Sequence, residues 1–320
     1  MSAKPASRRL WPFIAVPAFA VLVAAVIYIG PFSGDAGGSG GSVDVPSKDA
    51  QAADDSALQP SEEQLHEAAQ AQLQAALDQA VDDYLAELDD ENFYASIAVD
   101  DGTFRLDYEG EVQYDTASVV KVEILAMVLE EYGTLDQVPG WLLDRAELMI
   151  RNSDNDATND MLYGGTFDDG HDAIAQAHID YELAATNPHE TERWGMTQST
   201  AVDQLRVLEL TLFEEGGVLD AEQVEYARSL MGDLAPNQQW GVSAAALEDE
   251  SVWMKNGWDT RDFLGGEWVV NSIGVVAGDT ERPIELAIFT GGSASDTEGI
   301  ERVEELAEIV RGVIDIDPYA

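Results

Sequence analysis

Tyr114-Asp115-Thr116-Ala117-Ser118-Val119-Val120-Lys121 is the stretch on which the reading of this chain turns. A serine and a lysine stand three residues apart at the head of the apolar run 122–129, which predicts a buried helix. Residues at i and i+3 of a helix share a face, so the Lys121 amine can sit beside the Ser118 hydroxyl. A serine at its free pKa is a poor nucleophile, and a neighbouring amine able to take its proton activates it. A helix N-terminus under Ser118 also favours a developing negative charge.

Lysine usage sharpens this reading. The chain has only four lysines: Lys4, Lys48, Lys121 and Lys255. The first two precede residue 60. The other two are flanked by apolar residues, in Ser118-Val119-Val120-Lys121 and in Lys255-Asn256-Gly257.

The 320 residues allow one large domain or two small ones, and a hydrophobic content of 45% allows an ordinary core. The net charge of −46, from 62 acidic against 16 basic residues, excludes a nucleic-acid partner. It predicts a solvated acidic surface suited to high salt, or less simply a cationic partner. No cysteine is present, so disulfides, thiolate metal sites and lipid-modified cysteines are excluded. His66, His171, His178 and His189 lack the spacing of metal ligands, and no metal site is expected.

Residues 1–9 carry Lys4, Arg8 and Arg9 without an acid, and 10–29 carry no charge. Twenty such residues reach across a bilayer, with the basic end in the cytoplasm. One N-terminal transmembrane helix is expected, as a signal anchor over 1–32 or, alternatively, a long cleavable signal peptide. Residues 33–60 are rich in Gly, Ser, Asp and Ala and read as a tether. The folded domain is 61–320.

Within it, Ser61 caps a helix whose apolar stripe runs from Leu65 to Leu88 and packs on a sheet; a coiled-coil stalk is the other reading. Segments 93–99 and 103–108 read as strands around an Asp100-Asp101-Gly102 hairpin turn. Helices are expected to Gly133, over 141–150, to about Tyr163, and over 197–213 and 221–231. The stretch 164–189 reads as irregular. Strands over 252–255, 267–276 and 284–290 and a closing helix over 298–313 complete the chain. The pattern predicts an α+β fold: one antiparallel sheet, flanked by the N- and C-terminal helices, with an inserted all-helical lobe.

Three short motifs stand in chain order: Ser118-Val119-Val120-Lys121, Ser153-Asp154-Asn155 and Lys255-Asn256-Gly257. With them, 61–320 resembles class A β-lactamases and penicillin-binding proteins, which carry Ser-x-x-Lys, Ser-Asp-Asn and Lys-Thr-Gly in that order. The resemblance implies a serine hydrolase that opens β-lactam amides through a Ser118 acyl-enzyme, without a cofactor. It equally admits a D-Ala-D-Ala peptidase, or a non-hydrolysing cell-wall-binding homologue. The implied partners are a β-lactam or a peptidoglycan peptide, on the outer side of the cell membrane.

By the same resemblance, Lys121 takes the Ser118 proton and Ser153 carries a proton to the leaving nitrogen. Asn155 holds Lys121 and the substrate amide, while Lys255 attracts the substrate carboxylate and Ser153. Asp154 caps the next turn. Asn256, Gly257 and Trp258 line the substrate, and the backbone N–H groups of Ser118 and Trp258 form the oxyanion hole. Two departures stand out: Asn256 replaces the usual threonine, and Trp258 follows the glycine, where it would narrow the site. No Glu-x-x-Leu-Asn loop, the source of the deacylating glutamate in class A enzymes, is legible. Glu182 is the candidate, ahead of Glu190 and Glu192.

Overall fold

The structure is a computed structural model that describes residues 60–191, 193–214 and 217–320. The chain divides into Met1–Ala57 and Leu58–Ala320, of which the second is described below. The expected membrane segment 10–29 and the tether through residue 59 lie outside the described residues. Among the described residues, no helix is long and apolar enough to cross a membrane.

Helix α1 (Glu62–Leu88) opens as its sequence dictates. Ser61 accepts a hydrogen bond from the Gln64 N–H, and the Gln64 side chain accepts one from the Ser61 N–H. This reciprocal box satisfies two of the four donors a helix N-terminus leaves unpaired. Its stripe of Ala69, Leu73, Leu77, Val81 and Tyr84 is buried, in contact with β2 (Arg105–Tyr108) and with α8 (Asp296–Ile314). That contact rules out the stalk: the stripe faces its own domain.

Strands β1 (Tyr94–Asp100), β5 (Val252–Thr260), β6 (Trp268–Val276) and β7 (Ile284–Ser293) complete a five-stranded antiparallel sheet of order β2-β1-β7-β6-β5. The β1–β2 hairpin turns where Asp100 and Asp101 accept from the next backbone N–H groups and Gly102 takes φ +78°. β7 lies at the centre and is buried almost throughout. β5 is an edge strand, and the functional residues gather along it.

The helical lobe contains α2 (Lys121–Tyr132), α3 (Gly140–Arg151), α4 (Asn155–Tyr163) and α5 (Gly170–Asp180). Helix α2 is buried from Lys121 to Leu129, as expected of an apolar run without a polar face, and ends at Gly133 with φ +73°. Helix α6 (Ala201–Leu212) packs on α2 and on β1 and β7, and α7 (Ala221–Gly232) packs on β5.

Three sequence expectations need correction. Residues 164–189 are not irregular throughout: α5 lies within them, started by Asp169, whose side chain accepts from the His171 and Asp172 N–H groups. Glycine and aspartate density hid it, because the same residues that favour loops also start helices. The helix expected from 197 begins at Ala201, because Gln198–Ser199 forms β4, paired with β3 (Tyr114–Asp115). Strand β5 runs five residues beyond its expected end, its pairing with β6 continuing through Gly257.

Candidate active site

The deciding stretch folds in three steps. Tyr114–Asp115 is β3, Ala117–Val120 is a single 3₁₀ turn, and α2 starts at Lys121. A 3₁₀ turn has three residues per turn, so positions i and i+3 eclipse. Ser118 and Lys121 are therefore stacked more directly than an α-helix would allow, with Lys121 Nζ 2.9 Å from Ser118 Oγ. Ala117 sits at φ +48°, an uncommon conformation for a residue with a Cβ, fixed by the turn that presents Ser118.

Ser153 and Asn155 come from the junction of α3 and α4. Ser153 has φ +57°, and Asp154 caps α4 by accepting from the Ala157 N–H at 2.7 Å. The carbonyl oxygen and the hydroxyl of Ser153 lie 2.7 and 3.2 Å from Lys121 Nζ, and Asn155 Oδ1 lies 2.8 Å from it. Lys255 enters from β5, with Nζ 2.9 Å from Ser153 Oγ and donating to its neighbour's carbonyl, that of Asn256, at 2.7 Å. The polar atoms thus form one chain: Ser118 Oγ, Lys121 Nζ, Ser153 Oγ, Lys255 Nζ.

Both amines are fully buried. Burial pushes Lys121 down to about 7, partly offset by the negative charge of Asp154. Burial, and then the charge of Lys121, hold Lys255 well below its ordinary value. Removing an ammonium from water disfavours the charged form, so near neutrality Lys121 has an available lone pair. Among the described residues, Lys121 Nζ has four oxygen neighbours.

Gly257 explains how β5 reaches the nucleophile. A Cβ there would lie 2.5 Å from the Ser118 nitrogen, 2.8 Å from that of Val119 and 2.9 Å from the Thr116 oxygen. Only glycine permits that approach. The Asn256 carbonyl binds Lys255 and so faces the free edge of β5. Backbone groups two apart point the same way, so the Trp258 N–H faces that edge too, beside the turn that carries the Ser118 N–H.

Asn256 and Trp258 lie on the other face of β5. The Asn256 amide donates to the carbonyls of Gln238 and Trp240, and its oxygen accepts from Ser272 at 2.6 Å. Every polar atom of that side chain is occupied internally, which corrects its expected place against the substrate. The Trp258 ring meets Trp240 edge-on, with centroids 5.5 Å apart, instead of narrowing the site from the Lys255 side. Strand alternation is the reason: 255 and 257 share one face, 256 and 258 the other.

Glu182 is solvent-exposed in the turn after α5, at φ +59°. Among the described residues, the oxygens around Lys121 Nζ belong to Ser118, Ser153 and Asn155, and no carboxylate is among them. The structure therefore does not place Glu182 as a base at this serine. Glu190 is exposed and lines a shallow cavity of about 570 Å³ with Asp169, His171, Thr191 and Arg193; Glu192 lies outside the described residues. His178 is buried, with Nε2 2.9 Å from Glu123 Oε1.

Sequence reasoning missed two residues that shape the site. Trp194 lies over Lys121, with Nζ 4.9 Å from the ring centroid. Arg261, just beyond β5, is buried and binds Asp115, Asp259 and the Gly195 carbonyl. No local pattern marks either one, because each works across more than sixty residues of sequence.

The model of the beta-lactamase enzyme family matches residues 139–314. The chain is 29% identical over 195 residues to the putative lipoprotein LppW of Mycobacterium bovis and of Mycobacterium tuberculosis. The match covers 57% of this chain and 58% of LppW, so the chain spans little more than half the length of these curated relatives. Among solved structures, a class A β-lactamase from Bacteroides cellulosilyticus superposes with a TM-score of 0.62 at 17% identity, covering 77% of this chain and 99% of that one. A mutant of PBP-A in an acyl-enzyme complex with penicillin G gives 0.59 at 20% identity, covering 77% and 97%. A halotolerant bacterial β-lactamase gives 0.56 at 19%, covering 68% and 93%. At such identities the likeness is one of fold.

Proposed function

The chain belongs to the beta-lactamase enzyme family, and from that premise we propose that it is a serine hydrolase acylated at Ser118 by β-lactams or by peptides ending in D-Ala-D-Ala. One observation carries the reading: the partly exposed Ser118 hydroxyl is bound by the buried Lys121 amine, which shares the Ser153 hydroxyl with the buried amine of Lys255. Buried lysines are rare because each disfavours folding when charged. Two of them bound to one hydroxyl, in a chain with four lysines, have a chemical purpose.

In the proposed reaction, neutral Lys121 takes the proton of Ser118 as Oγ attacks the carbonyl carbon. The N–H groups of Ser118 and Trp258 bind the oxyanion, and fixed donors of this kind contribute several kcal/mol. As the carbonyl carbon–nitrogen bond breaks, the proton moves through Ser153 Oγ to the leaving nitrogen. Lys255 donates to Ser153, holding it in line, and offers a further N–H to the substrate carboxylate. Water then releases the acyl group, in a step for which the described residues offer no carboxylate at Lys121.

That last feature favours a second reading within the same site: a penicillin-recognising peptidase in which the lactam adduct persists. LppW is a putative lipoprotein. This chain has no cysteine to carry a lipid. Attachment at the outer face of the membrane would then rest on segment 10–29.

Intact-mass measurement of the full chain with benzylpenicillin tests the proposal. An adduct of one penicillin, absent in Ser118→Ala, is expected. No adduct, together with no turnover of a chromogenic cephalosporin, would leave a non-hydrolysing binding protein.

A further inference from the structure

The 3₁₀ turn Trp194–Met196 lies directly on the turn that carries the nucleophile. The backbone of Gly195 packs against Ala117, and a Cβ on Gly195 would sit 3.7 Å from the Ala117 oxygen. Three anchors fix the turn. The Trp194 indole N–H donates to Asn159 Oδ1 on α4 at 3.0 Å, and the ring lies over Lys121 Nζ. Arg261 donates to the Gly195 carbonyl at 3.1 Å while bound to Asp115, the residue two before Ala117. The turn is therefore tied to both sides of the nucleophile.

The geometry points to Trp194 as a shield that keeps water from an acyl group on Ser118, so that this enzyme holds its acyl-enzyme instead of turning it over rapidly. The inference rests on the reading of Ser118 given above. Hydrolysis of that ester needs a water placed near the carbonyl carbon. The water loses a proton to a base as its oxygen bonds to carbon, and the ester oxygen leaves and regains a proton as Ser118 Oγ. Among the described residues Lys121, freed after acylation, is the base at hand, and the indole covers its amine. An aromatic face receives a cation or an N–H but has no lone pair with which to position a nucleophilic water. Excluding water from a closed site is a recognised way to protect a reactive intermediate. Trp194 is accordingly a positioning residue: it acts through Lys121 and through the space it fills.

The test compares wild type, Trp194→Ala, Trp194→Phe and Asn159→Ala, each as the full chain. Asn159 is exposed, so its substitution frees the indole without opening the core. Acylation is followed with a fluorescent penicillin, and release by intact mass after excess drug is removed. Wild type should keep the label for many minutes. Loss of the ring should shorten that lifetime about tenfold or more, with acylation changed far less. Asn159→Ala and Trp194→Phe, which keep a ring over Lys121 but lose the indole's hydrogen bond, should both fall between. Lifetimes in Trp194→Ala and Asn159→Ala within twofold of wild type would overturn the shield while leaving Ser118 acylation intact. Rapid release by wild type would do the same. A wild type that takes no label would overturn the underlying reading, and this inference with it.

Discussion

Arg261 and Asp115 form an ion pair in which both side chains are about 95% removed from solvent. It joins the end of β5 to the strand that leads into the nucleophile turn, and Arg261 also holds the loop over that turn. A charge pair so deeply buried gains little net stability from its attraction, because desolvation offsets it. Breaking it is another matter, since one charge is then left unpaired. Arg261→Ala should lower the free energy of unfolding by about 3–5 kcal/mol. The double variant Arg261→Leu with Asp115→Leu should lose less. Urea unfolding of the three proteins measures this, and equal losses in both variants would refute it.

Gly257 is predicted to be indispensable for acylation. A methyl group there meets the backbone nitrogens of Ser118 and Val119, which cannot move without shifting the nucleophile. Gly257→Ala should slow acylation by about a hundredfold, since displacements of about 1 Å carry penalties of that size. Stopped-flow labelling would show it, and a rate within threefold of wild type would contradict the proposed approach of β5.

The pH dependence of acylation follows from Lys121. Its protonated form cannot take the Ser118 proton, and burial sets the change of state at about 7. The acylation rate should climb about tenfold per pH unit below that point and level off above it. Lys121→Arg, always charged, should be inactive at every pH. A flat profile between pH 5 and 8 would remove Lys121 as the base.

Glu285 supplies a stability prediction away from the site. Burial, with Glu209 and Asp100 nearby, raises its carboxyl from 4.5 to about 8, against the pull of Arg105. The folded state therefore keeps the proton between these values while the unfolded chain has lost it. Stability from this group is complete below 4.5 and declines as pH rises toward 8. Glu285→Gln should leave stability unchanged at pH 4 and add up to about 5 kcal/mol at pH 9. Denaturation at the two pH values decides it, and an equal effect at both would exclude a titrating group.

Salt should stabilise the whole domain. A net charge of −46 makes the folded surface repel itself. Raising salt from about 0.1 to 1 M shortens the screening length from about 10 to about 3 Å. The melting temperature should rise over that range. A flat or falling curve would mean that the acidic residues are already compensated.

Much of this architecture was legible because it depends on neighbours in sequence. The capping box of Ser61 and Gln64, the Asp100-Asp101-Gly102 turn and the all-apolar length of α2 are local physics. Helix α5 was not legible, because Asp169 and the glycines around it look the same in a loop and at a helix start. Strand β5 beyond Lys255 was hidden for a related reason: Asn256, Gly257 and Asp259 are poor strand formers, held there by pairing with β6.

The sequence by itself determined the candidate chemistry: a serine with a lysine one turn on, a second serine, a second lysine, and the glycine that permits close approach. Which of those side chains meet was decided by tertiary structure alone. Ser153 is brought to both amines across gaps of 32 and 102 residues. The alternation of β5 turns Lys255 inward and Asn256 away. Folding also seats Trp194 over Lys121, because the loop that carries it is pinned by an arginine 66 residues from Gly195. Spacing along a chain fixes only the contacts within a turn or a strand, and the remainder depend on how the sheet and the helical lobe close on each other.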